Sequence, residues 1–267
     1  MDDKPNHLKP RYAAQFHDAS VVAAYGYRPP VPDEVLAVLP GLIRESPANV
    51  LDIGCGRGEL ARPLSARVSR VDAVDWSPGM ITMGKQLPGG DRTHLHWVVG
   101  KAEEAPLVPP YALVTAGQSL HWMDWDVILP RIAAALSPNG FLAIVGWEVV
   151  APPWHRALRP VIQRLSTNQD YQPYDLIEEL TRRQLFTVSG RHETKPVPFR
   201  QPVDDYIESF HARKGLSRDR MTAVAAAAFD REVRALCTPF AENGQLAFMT
   251  VGEIIWGRPQ APNTQHT

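Results

Sequence analysis

The stretch "VLDIGCGRGEL", Val50 to Leu60, carries the residues best suited to chemistry. A short apolar run ends on Asp52 and enters a turn holding Gly54, Gly56 and Gly58. Strand, glycine-rich turn and helix together bring backbone amides to a ligand at a helix N-terminus. Glycine accepts the torsions and the close approach that a Cβ would block. A dinucleotide fingerprint would place its third glycine at position 59, where Glu59 stands. A carboxylate there meets a pyrophosphate unfavourably, whereas Asp52 at the strand end suits a ligand with a cationic group. Asp75 ends the next apolar run, "RVDAVD", and an acid at that place can bond both ribose hydroxyls of an adenosine. Ordinary capping of the following loops is the alternative for each aspartate. Further along, "GQSLHW" offers Gln118, His121 and Trp122. The amide can accept and donate, the imidazole can act as base or donor, and the indole is an apolar wall with one donor.

The elements that position these residues read as strands alternating with helices. "NVLDIG", "RVDAVD", "HLHWVVG", "YALVTAG" and "GFLAIVGWEVV" are five strands. Helical segments are expected over Ala13 to Tyr25, in "RPPVPDEVLAVLPGLI" with Pro32 near its first turn, and in "GELARPLSA" for about two turns. "SPGMITMGKQL" has Ser77 as N-cap and Pro78 at the first helical position, and "DWDVILPRIAAAL" is amphipathic. The pattern predicts an α/β fold: a Rossmann-like, seven-stranded, mostly parallel sheet with helices on both faces. Residues 1–150 would hold the N-terminal helices and the ligand-binding core. Residues 151–220, rich in aromatic, histidine and arginine side chains, would form a helical lid. Residues 221–267 would return to the sheet through the helix "MTAVAAAAFDREVRALC" and the strand "GQLAFMTVGEIIWG".

The bulk numbers narrow the class. A chain of 267 residues can bury a core without covalent staples, and its two cysteines, Cys55 and Cys237, are too few for a disulfide framework. A reducing, cytoplasmic setting is the default. No apolar run opens the chain, so no secretory signal is expected, and no window approaches a spanning helix or a membrane partner. A net charge of -1 gives no electrostatic footprint for nucleic acid.

These motifs resemble the class I S-adenosylmethionine-dependent methyltransferases, and most the type 11 small-molecule branch, near the trans-aconitate and juvenile-hormone-acid methyltransferases. The resemblance rests on "VLDIGCGRG", "VDWSPGMI", "GKAEEAPL", "SLHWMDW" and "LSPNGFLAIVG", and covers Tyr25 to Trp147 closely. It implies S-adenosylmethionine as cofactor and S-adenosylhomocysteine as product. Asp52, Gly54, Cys55 and Gly56 would contact the methionine part, and Asp75 the ribose. Trp76 and Met80 would lie against the adenine, with Ala102 and Glu103 at its edge. Ala116 would also line the cofactor site. Tyr25 and Arg28 would close over the cofactor, with the guanidinium on its carboxylate; an arginine stacked on the neighbouring tyrosines is the alternative. Many relatives carry an aspartate where this chain has Lys101, and lysine only donates. Lys101 is then either a departure at the adenine amino group or a solvated surface residue.

Enzymes that methylate amines of nucleic acid place Asp or Asn before Pro-Pro-aromatic, after the fourth strand. Here Val108 precedes Pro109 and Pro110, and the prolines come before "YALVTAG". They therefore serve as a tight turn feeding that strand. "GQSLHW" follows the strand, at the edge where such sheets bind ligands. His121 is accordingly the candidate catalytic base, with Gln118 and Trp122 beside the acceptor; a structural histidine bonded to backbone is the alternative. In the lid, Trp154, Tyr206, Phe210 and His211 are candidates for an aromatic acceptor pocket, although aromatics at helical spacing often form core. Arg213 and Lys214 would meet an anionic acceptor or end a solvated helix. The acidic metal-binding pattern of catechol methyltransferases is missing, so no metal is expected. The resulting expectation is O-methylation of a small molecule's hydroxyl or carboxylate, by a monomer or homodimer. A non-catalytic cofactor-binding or regulatory protein and an RNA methyltransferase are the competing readings, the latter disfavoured by charge.

Overall fold

The computed structural model describes residues 4–260 apart from 173 and 214. The chain begins with α1 (Pro10–Ala13), α2 (Ala19–Ala24) and α3 (Asp33–Gly41). Then come β1 (Asn49–Ile53), α4 (Ala61–Leu64), β2 (Arg70–Asp75), α5 (Pro78–Gln86), β3 (Leu95–Val99) and β4 (Tyr111–Gly117). Next are α6 (Trp125–Ala135), β5 (Leu136–Val149), α7 (His155–Leu165), α8 (Leu176–Arg182) and β6 (Phe186–Glu193). The last elements are β7 (Val197–Pro202), α9 (Val203–His211), α10 (Ala223–Cys237) and β8 (Gln245–Pro259).

Contacts divide the chain into two compact units. One comprises Val31–Trp147, Asp175–Thr194 and Gly252–Thr267; the other comprises Met1–Pro30, Glu148–Tyr174 and Lys195–Val251. In the first, the sheet runs β3-β2-β1-β4-β5-β8-β6. The pairs β1–β2, β1–β4, β2–β3 and β4–β5 are parallel, and β6–β8 is antiparallel. The expected Rossmann-like sheet, mostly parallel and flanked by helices, is the one found, with β7 on β8 as an eighth strand beside the seven expected. Val50, Val71, Leu113, Ala143 and Ile254 from five strands share one core with Val35 and Leu39 of α3 and Leu64 of α4. Ser77 caps α5 as its sequence predicts, its hydroxyl accepting from the Met80 amide.

The second unit is a helical cluster with a long-range antiparallel strand pair. α7 and α9 pack on α10, and β7 pairs antiparallel with the first part of β8, Val197 opposite Thr250. Trp154, Tyr206, Phe210, Phe229 and Phe248 centre its core.

The departures from expectation have local causes. The helix expected over Ala13 to Tyr25 breaks at Asp18, which takes an extended conformation while its carboxylate accepts from Ser217 and Arg220. The helix expected in "GELARPLSA" is only Ala61–Leu64, because Gly58 sits at φ +82° and cannot continue an α-helix backward. Residues 151–220 hold strands β6 and β7 as well as helices. Their apolar alternation is diluted by Arg191, His192 and Arg200, and by Pro198 and Pro202, so period-2 reasoning finds little to grip. Residues 175–194 accordingly group with the sheet, and α10 with the helical unit.

Candidate active site

The turn after β1 shows why its glycines are needed. Gly54, Gly56 and Gly58 all have positive φ, at +62°, +57° and +82°. A Cβ on Gly54 would stand 2.5 Å from the Ser119 Cβ. That proximity arises because Ser119, just beyond β4, donates its hydroxyl to the Ile53 carbonyl at 2.6 Å. Gly54→Ala is therefore expected to lower stability by about 1–3 kcal/mol in chemical denaturation, combining left-handed strain with a steric clash. An unchanged midpoint would show that this turn is not built as described.

Asp52 and Thr115 are register partners on β1 and β4, and the Thr115 hydroxyl donates to Asp52 Oδ1 at 2.7 Å. The other carboxylate oxygen, Oδ2, is buried without a hydrogen-bond partner. Burial, with Glu59 and Asp75 adding negative charge, raises the Asp52 pKa from 3.8 to about 7. Asp75 holds the turn: its Oδ2 accepts from the Gly56 amide and its Oδ1 from the Ser77 amide, both at 2.8 Å. A carboxylate has about four lone-pair sites, so capacity remains for further donors. Glu59 is paired with Arg57 at 2.9 Å. The Cys55 thiol is buried beside the same three carboxylates, and burial followed by their charge pushes its pKa up.

Three carboxylates around one glycine turn attract a cation and repel a phosphate. Met80 and Ala102 are buried, Trp76 is part-buried, and Ala116 lies buried within β4. Glu103 is tied to the chain, its Oε1 accepting from the Asp124 amide at 2.8 Å. Lys101 is exposed, with Glu104 3.8 Å away, which is the geometry of a solvated surface lysine.

Beyond β4, Gln118 takes φ +52°, uncommon for a residue with a Cβ, and its side-chain amide donates to the Trp147 carbonyl. Backbone strain of this kind concentrates at functional sites. His121 and Trp122 lie on the 3-10 turn Leu120–Trp122, both part-buried, with ring centroids 4.8 Å apart. Pro109 and Pro110 precede β4, at its other end from Gln118, as the turn reading expects.

The second unit treats its candidates differently. Trp154, Tyr206 and Phe210, expected to face an acceptor, are buried in that unit's core instead; the Trp154 indole donates to the Tyr206 hydroxyl at 3.0 Å. His211 is fully buried, with Nδ1 2.7 Å from the Leu216 carbonyl and Nε2 2.8 Å from Asp230 Oδ1. Neither ring nitrogen is left for a ligand. Aromatics at helical spacing have here served packing, because this small unit needs them for a core. Arg28 stacks over Tyr25 and donates to its hydroxyl at 2.9 Å, the stacked alternative. Lys214 lies outside the described residues. The reading from sequence missed Thr115 and Ser119, whose roles follow from strand register and loop approach; Thr115 lies opposite Asp52 once β1 and β4 are paired.

Known proteins are similar to this chain in sequence and in fold. The methyltransferase domain family matches residues 50–140. A trans-aconitate 2-methyltransferase of Methylobacterium nodulans is 34% identical over 43% of this chain and 45% of its own length. The chain spans about half the length of the trans-aconitate methyltransferases it matches. The solved structure of a putative type II methyltransferase from Anaeromyxobacter dehalogenans superposes with a TM-score of 0.60 at 22% identity, covering 86% of this chain and 97% of that one, and shows the same fold. An uncharacterized methyltransferase of Mycobacterium bovis is 32% identical over 66% of this chain and 68% of its own length. With a relative matched to that extent, this chain belongs to the class I S-adenosylmethionine-dependent methyltransferase family.

Proposed function

We propose that this protein transfers the methyl group of S-adenosylmethionine to an oxygen, hydroxyl or carboxylate, of a small molecule. The observation that carries the reading is the buried, unpartnered Asp52 Oδ2 in a turn already lined by Glu59 and Asp75. An ammonium and a sulfonium suit that environment; a pyrophosphate does not. The names of the trans-aconitate relatives support a small carboxylate-bearing acceptor.

When bound, the cofactor supplies an activated methyl group, so the protein contributes alignment and electrostatics. Asp52 would hold the ammonium and Asp75 the ribose hydroxyls, while Gly54 and Gly56 let the backbone approach. Met80 and Trp76 would take the adenine, with Ala102 and Glu103 at its edge and Ala116 in the strand beneath. Gln118 and Trp122 would position the acceptor oxygen. His121 would take the proton of a hydroxyl acceptor, or orient a carboxylate, which needs positioning and desolvation only.

Titration calorimetry with S-adenosylmethionine, followed by an acceptor screen that reads S-adenosylhomocysteine release, tests the proposal. Binding without turnover across the screen would favour a regulatory protein of the same fold. Asp75→Ala is expected to weaken cofactor binding by about 1.5–3 kcal/mol, the scale for hydrogen bonds to a charged group. Equal affinity in a variant that melts like wild type would remove Asp75 from the ribose.

A further inference from the structure

Within the helical unit, the 3-10 turn Tyr25–Tyr27 packs against α9, which ends at His211. Arg28 follows the first element and Arg213 the second. The Arg28 guanidinium is held over the Tyr25 ring and bonded to its hydroxyl. Arg213 is part-buried, with its guanidinium carbon 4.5 Å from the Phe210 ring centroid. No carboxylate pairs with Arg213 among the described residues, and its charged neighbour is Arg28. Part-buried Arg218 of this unit is matched with Glu208 and Asp230, and even exposed Arg220 is matched with Asp18. Burial, and then the like charge of Arg28, push the Arg213 pKa down to about 10.

A desolvated guanidinium beside a second cation is unfavourable unless an anion compensates. A carboxylate is the natural complement, because the guanidinium fork matches its two oxygens. We propose that Arg213, with Arg28 alongside, is a receptor for the carboxylate of a bound small molecule. The methyltransferase reading names two sources for that group, the acceptor and the methionine end of the cofactor, and the inference rests on it for these sources. The acceptor's carboxylate is the favoured source, because it gives a part-buried guanidinium that has no carboxylate partner among the described residues a role in substrate choice.

The test uses the full chain, by calorimetry and thermal melting, with propane-1,2,3-tricarboxylate, its neutral trimethyl ester and S-adenosylmethionine as probes. The tricarboxylate should bind wild type and raise its melting temperature; the ester should do neither. Arg213→Gln should weaken the tricarboxylate about 10- to 100-fold, the usual effect of removing a charged hydrogen-bonding partner. If S-adenosylmethionine weakens by that factor and the tricarboxylate does not bind, the receptor stands with the cofactor as its source. The proposal is overturned if Arg213→Gln melts like wild type and neither affinity changes. Should that variant fail to fold, Arg213→Lys decides, because a point charge cannot reproduce the two-pronged grip: about tenfold loss supports the receptor, and unchanged binding of both probes overturns it. Failure of the methyltransferase reading is visible separately, as wild type that does not bind S-adenosylmethionine while the tricarboxylate arm remains readable.

Discussion

Replacing His121 with alanine is expected to lower turnover about 10²- to 10⁴-fold with a hydroxyl acceptor, the usual share of general base catalysis. Affinity for S-adenosylmethionine should stay nearly unchanged, because the proposed cofactor contacts lie in the turns after β1 and β2. Wild-type turnover should climb with pH as the imidazole loses its proton and becomes competent as a base, and the variant should lose that limb. A carboxylate acceptor needs no base. With such an acceptor, the substitution should raise the Michaelis constant more than it lowers turnover, and the ascending limb should be absent. Turnover at saturating acceptor, measured from pH 5 to 9 for both proteins, separates the two chemistries. Wild-type kinetics throughout would make His121 a wall of the 3-10 turn, packed on Trp122.

The second large effect is expected at Asp52. Its carboxyl, ordinarily near 3.8, is raised to about 7, first by burial and further by Glu59 and Asp75. A carboxyl with a raised folded pKa holds its proton more tightly in the folded chain. Stability of the unliganded protein is therefore lost as pH rises from about 4 to 7, and above 7 the full penalty stands, on the order of 4 kcal/mol. Asp52→Asn keeps the shape and removes the charge. It should stabilise the unliganded protein at pH 8 and leave it unchanged at pH 4. The same variant should bind S-adenosylmethionine about 10- to 100-fold more weakly, having lost the partner for a cation. In wild type, affinity should fall about tenfold per pH unit between 7 and 5, because binding must release the Asp52 proton. Calorimetry in two buffers of different ionisation heat reads that proton directly. Flat affinity from pH 5 to 8, with no stability gain in the variant, would take Asp52 out of the cofactor site.

Both predictions depend on features with different visibility in the sequence. The parallel sheet was legible because its signals are local. Short apolar runs bounded by glycine or polar turns mark β1 to β4, Ser77 and Pro78 mark the start of α5, and Asp75 sits where a run ends. The boundaries of α4 and β5 were less legible. A positive φ at Gly58 shortens the one helix, and pairing of Leu136 with Tyr111 across a register shift extends the other strand. Strands β6 and β7 were hidden by charged residues and prolines, which sheets accept only where one face or edge is open.

By itself, the sequence determined the sheet class, the glycine turn and the placement of Asp52, Asp75 and His121 at strand ends, since each follows from neighbours within a few residues. Tertiary structure alone decided what those groups meet. Thr115 reaches Asp52 across 63 positions of chain because β1 and β4 lie in register, and the same packing leaves Oδ2 dry and its carboxyl hard to ionise. It also decided between pocket and core for the aromatics of the helical unit. Trp154, Tyr206 and Phe210 have the spacing of either, and only the arrival of Phe229 and Phe248 from distant segments, with the apolar area this removes from water, settles them inside. A missing partner is likewise a property of three-dimensional neighbours: Arg213 differs from Arg218 only in what surrounds it, and no spacing of residues along the chain records that difference.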